Sequence, residues 1–139
     1  ENDAAQGQLG RVMLEVGDVA TAAKHLREAV RLNPSNVAAS LSLAWLQATS
    51  PSEDLRDGGN AQKLAQRVFQ SPRGQTAITI DILAAAYAEQ GDYGRAESLL
   101  RRLLDQLGED RAGIGETLKS RLAEYKAGRP YRDPDAKYP

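Results

Sequence analysis

No cysteine occurs in this chain, so disulfides and thiolate metal ligands are excluded and the redox compartment cannot be read from cysteine usage. Histidine is almost as scarce. His25 is the only one, and it lies among Lys24 and Arg27 without the partners that a metal site or a nucleophilic triad requires. Aromatics make up 5% of the chain, with one Trp and one Phe. Charge of one sign is not in surplus either. Eighteen Lys and Arg against 19 Asp and Glu give a net charge of -1, which argues against the basic footprint of a nucleic-acid partner. The Arg101-Arg102 pair reads as a solvated helix face. No apolar run approaches the roughly 18 residues that span a bilayer, so no membrane span is expected in this segment. No secretion signal precedes the first residues, and Glu1 stands where a Met would. The chain is therefore read as a fragment or processed product, with its compartment, cytoplasmic or periplasmic, left open.

What is present is alanine and leucine, which dominate a hydrophobic content of 41%. Both are strong helix formers, and a core of Ala and Leu implies closely spaced helices. The 139 residues fit one domain, and the expected class is all-α.

An internal repeat organises those helices. Leu9-Gly10, Met13, Gly17-Asp18, Ala22, Leu26 and Ala29 recur in order as Leu83-Ala84, Tyr87, Gly91-Asp92, Ala96, Leu100 and Leu103. The two Gly-Asp pairs lie 74 residues apart, two periods of about 34 with a short insertion. Between them, Val37 to Ala48 carries Leu43-Ala44 and reads as a first helix, while Asn60 to Gln70 carries Ala61, Ala65 and Val68 and reads as a second. The insertion falls in the loop joining them, Thr49 to Gly59. Small residues stand where helices cross: Gly10, Ala44 and Ala84 on first helices, and Ala22, Ala61 and Ala96 on second ones. Gly17 and Gly91 suit left-handed helix ends, and Asp18 and Asp92 suit N-caps of the helices that follow. Asn33-Pro34 stops a second helix. The acidic loop Glu53, Asp54 and Asp57 lacks calcium-ligand spacing and reads as turn chemistry, with Asn60 as N-cap. Beyond the third pair, Ile114, Leu118, Leu122 and Tyr125 mark a further helix interleaved with Lys119, Arg121, Glu124 and Lys126. Gly128 and Pro130 end it.

On these residues the chain resembles the tetratricopeptide repeat family, best over Leu9 to Pro34 and nearly as well over Leu83 to Leu103. The tryptophan common early in the first helix of that family is replaced by Gln6, Ser40 and Ile80. The long loop and the ending Gly128-Arg129-Pro130-Tyr131 also resemble C-terminal repeat segments of larger bacterial proteins. The resemblance implies a right-handed superhelical solenoid of three antiparallel helix pairs plus a capping helix, seven helices in all. The units are 3–36, 37–75 and 76–110, the cap is 111–128 and an extended tail is 129–139.

The family geometry points binding at the concave face of the first helices. There it implies exposed inner positions at Arg11 and Glu15, at Leu41 and Trp45, and at Asp81, Ile82 and Glu89. The lysine and asparagine clamp with which chaperone-binding members grip a terminal carboxylate is missing, its places held by Gly7, Arg11, Trp45 and Ala85. Trp45 stands out as an anchor whose truncation would weaken a partner roughly tenfold or more while leaving the helices intact. The competing reading, which carries at least equal weight, is that Trp45 packs between first helices or under the tail and that Leu41 and Ile82 are core. With no catalytic constellation and no cofactor or metal site in view, the expected function is a scaffold that binds a protein or peptide and is not itself an enzyme. Self-assembly through the uncapped start of the first helix, near Asp3 and Ala4-Ala5, or through the tyrosine-containing tail is a second reading, and the regulatory arm of an upstream enzyme such as a transferase is a third.

Overall fold

The computed structural model describes residues 2–108, 113–136 and 138. These residues form seven α-helices and no strand: α1 (Asn2–Glu15), α2 (Val19–Leu32), α3 (Val37–Thr49), α4 (Gly58–Gln70), α5 (Ala77–Glu89), α6 (Tyr93–Leu107) and α7 (Gly115–Lys126). A single 3-10 turn, Glu53–Leu55, lies in the long loop before α4. The expected junction between residues 110 and 111 lies outside the described residues.

Helices pack in consecutive pairs, α1 with α2, α3 with α4 and α5 with α6. The pairs then stack, α3 against α2 and α5 against both α3 and α4, and α7 lies on α6. Small side chains permit this. Ala22, Ala44, Ala61, Ala84 and Ala96 are completely buried. A Cβ on Gly10 would stand 2.8 Å from Leu26 Cγ, so α1 and α2 cross at a distance only glycine allows.

The Gly-Asp dipeptide does two jobs at each tight turn. Gly17 and Gly91 take φ of 85° and 82°. Asp18 N–H then donates to the Met13 carbonyl and Asp92 N–H to the Tyr87 carbonyl, both across six residues. This is the Schellman closure of α1 and α5. The same aspartates cap the next helix, Asp18 accepting from Thr21 N and Asp92 from Arg95 N.

The middle pair departs from expectation at its loop. The N-cap of α4 is Asp57, not Asn60, because Asp57 Oδ1 accepts from Asn60 N at 3.0 Å. The helix therefore opens two residues earlier, on Gly58 and Gly59. Asp57 N–H donates to the Gln47 carbonyl and Asn60 Nδ2 to Gln47 Oε1, which pins the long loop to α3.

Candidate functional site

α1, α3 and α5 are the first helices of their pairs. A solvent-facing helix keeps one apolar stripe, yet α3 is buried from Ala39 to Thr49 and α5 over most of its length. Pair partners and neighbouring pairs cover these helices, and at Trp45, Thr49, Asp81 and Glu89 the covering groups come from Arg121 of α7 and from the chain beyond it.

The covering segment begins at a third Schellman closure. Gly128 takes φ of 71°, and Arg129 N–H donates to the Glu124 carbonyl. Pro130 follows and cannot continue a helix. The chain then runs without regular structure through residues 129–133, bends at 134 and 135, and returns Tyr138 to the same place.

Trp45 is the floor of this contact. It is fully buried, and its Nε1 donates to Asp133 Oδ2 at 2.7 Å. Tyr131 and Tyr138 flank the indole with ring centroids 5.9 and 4.7 Å away. Asp133 N–H also donates to the Thr49 carbonyl, while Asp133 Oδ1 accepts from the backbone of Asp135 and Ala136 and so holds the bend. One aspartate thus fixes both the tail's course and its seat. On α5, Glu89 receives Arg132 Nη1 at 2.7 Å, and Arg56 from the long loop approaches the same carboxylate at 3.3 Å.

Beside the indole lies a buried ion pair. Arg121 of α7 reaches Asp81 of α5, Nη1 to Oδ2 at 2.6 Å, with side-chain exposures of 4% and 0%. The guanidinium carbon sits 4.6 Å from the Trp45 ring, 5.0 Å from Tyr131 and 4.6 Å from Tyr138. Three π faces and one carboxylate replace the water this cation has lost. Burial pushes the Asp81 carboxyl up to about 6 against the pull of Arg121. The Tyr138 hydroxyl also neighbours Asp81, without the alignment of a hydrogen bond, and burial raises its pKa.

The expected exposed positions therefore divide. Leu41, Trp45, Asp81 and Ile82 are not exposed: the first is 8% accessible and the other three are fully buried. For Trp45 and Asp81 the cause is the tail and Arg121, which lie against them, while Leu41 and Ile82 belong to the same buried apolar cluster. Trp45, Asp81 and Glu89 are brought together through that segment. Arg11 and Glu15 remain exposed on α1, and Arg11 borders a hollow of about 180 Å³ with Gln8, Asn36 and Ala39.

Sequence reasoning missed the other half of the contact. Arg121 was expected among the polar flanks of the last helix but is 3% accessible, because a long side chain can cross to a carboxylate on another helix. Tyr131, Arg132 and Asp133 carried one legible signal: two of the chain's five tyrosines fall in the short tail. His25 has a structural partner in Gln6, Nδ1 to Oε1 at 2.7 Å. No group of three or more metal-ligating side chains is assembled among the described residues.

A protein-family model, described as tetratricopeptide repeat, matches residues 8–54. No curated protein and no solved structure gives a significant match to the chain.

Proposed function

We propose that this chain, a tetratricopeptide repeat protein by its family match and its stacked helix pairs, is a scaffold that grips an extended segment of another protein along the face of α1, α3 and α5. Repeats of this family in general mediate protein–protein interaction and are non-catalytic. We read 3–36, 37–75 and 76–110 as its three units.

One observation carries the reading. An irregular, extended stretch already lies on that face, held by the Trp45 indole, the Thr49 carbonyl and the Glu89 carboxylate. The face is thus chemically equipped for a segment without secondary structure: an aromatic floor, an acceptor on the backbone and a charge at one side. A further open hollow lies between α1 and the start of α3, beside Arg11.

The test is selection from a random peptide display library against the full chain carrying Tyr131→Ala and Asp133→Ala, which frees the face. Peptides should be enriched whose binding is lost when Glu89→Ala is added. Absence of enrichment from a variant with native helical circular dichroism would remove the reading.

Self-assembly has its own observation. Leu9 and Val12 on α1 and Val16 just after its end are 43%, 50% and 69% exposed. Val12→Glu should abolish any rise of sedimentation coefficient with concentration, and a chain monomeric at every concentration would end this second reading.

A further inference from the structure

The bound tail has more in it than a cover would need. A strap that merely shields an apolar face requires apolar area. Tyr131, Arg132, Asp133 and Tyr138 instead present a pattern of polar and aromatic groups, each set against particular groups on the helices. The Tyr131 ring meets Trp45 and Arg121, Arg132 meets Glu89, Asp133 meets the Trp45 indole N–H and the Thr49 carbonyl, and Tyr138 returns to Trp45 and Arg121. Tyr131, Arg132, Asp133 and Tyr138 keep intermediate exposure, while Trp45 and Arg121 beneath them are buried. Among the described residues one backbone hydrogen bond, Asp133 N–H to Thr49 carbonyl, ties the extended stretch to the helices it covers. That is how a peptide ligand is held: by side-chain contacts, with little shared secondary structure. Pro130 and Pro134 restrict the stretch before it binds, which lowers the entropy lost on docking.

We infer that the tail is an internal ligand, displaceable by a segment of another protein with the same order of groups. That segment carries an aromatic residue, then a basic residue, then an aspartate, with a second aromatic five residues after the aspartate. This inference rests on the scaffold reading above and names the partner chemistry for that face. The aspartate is the specifying group, because it alone satisfies the indole N–H. The basic residue selects against acidic neighbours through Glu89. The two rings complete the box around Arg121, whose charge is otherwise matched only by Asp81. The tail competes for the same seats at an effective concentration on the order of millimolar, so the native chain resists weak ligands and yields to strong ones.

The probe is a fluorescein-labelled synthetic peptide of residues 129–139, titrated by anisotropy into the full chain and into the full chain with Tyr131→Ala and Asp133→Ala. The variant should bind it at least tenfold more tightly than the native chain. A probe with alanine at the positions of Tyr131 and Asp133 should bind the variant at least tenfold more weakly. Equal binding to native chain and variant, or no binding to a variant with native helical signal, overturns the inference. If the double variant loses its helices, Asp133→Ala alone is titrated, since it keeps both rings; a threefold gain supports the inference and no gain overturns it. Selection of unrelated peptides that need Glu89, together with failure of the tail peptide, would overturn this inference and leave the scaffold reading standing.

Discussion

Trp45 shows how one residue can belong to a binding face and to a core at once. Its indole is fully buried, with Tyr131, Asp133, Tyr138 and the Arg121 guanidinium all lying against it. Truncation removes the floor and orphans the Asp133 acceptor, so Trp45→Ala should cost about 3–5 kcal/mol in urea unfolding. Trp45→Phe should recover most of that, because a ring still fills the box. Asp81 carries a prediction in pH. Its folded pKa, about 6, lies above its ordinary value of 3.8, so the native state holds a proton that the unfolded state has already released. The stabilising contribution is therefore complete below about pH 4 and is lost as pH rises through about 6, a step on the order of 3 kcal/mol. Native chain and Asp81→Asn should differ in their urea midpoints by an amount that changes across this window and is flat above it. A constant difference from pH 4 to pH 7 would show that Arg121 holds Asp81 ionised throughout.

At the scale of the element, the turn between α5 and α6 places two glycines three residues apart with opposite roles. Gly91 sits at φ 82°, where a Cβ meets its own backbone, and Gly94 sits inside α6 with no heavy atom nearer than 4.0 Å to a Cβ built on it. Gly91→Ala should therefore destabilise by about 1 kcal/mol or more, and Gly94→Ala should stabilise by about 0.4–1 kcal/mol. Asp92→Ala, which removes the acceptor for Arg95 N, should cost about 1 kcal/mol. Thermal melts of the three variants read all three signs at once. The roles of Gly91 and Asp92 were legible from the residues alone, because Gly-Asp followed by a helical period demands this turn. The opening of α4 was not. Asp57, Gly58, Gly59 and Asn60 all suit a helix start, and the bonds to Gln47 on α3 decide among them.

Across the whole molecule, a row of helix pairs transmits stability mainly between neighbours. α7 and the tail add long-range ties back to α5 and α3, through Arg121–Asp81 and Asp133–Trp45 respectively. Loss of Tyr131 and Asp133 should therefore speed amide exchange in α3 and α5 while leaving α1 and α2 close to native rates, as hydrogen-exchange mass spectrometry would resolve. Uniform acceleration would instead make the tail part of a single cooperative unit.

The order of helices, the small residues at their crossings and the Gly-Asp turns are properties of the sequence by itself, because each depends on neighbours within about one repeat. The fate of Trp45 and Asp81 is not, since nothing local distinguishes an exposed groove from a filled one. That was decided by tertiary structure, through a side chain 40 residues from Asp81 and an aspartate 88 residues from Trp45. Periodicity records which face of a helix is apolar; what comes to lie against that face depends on contacts that no local pattern encodes.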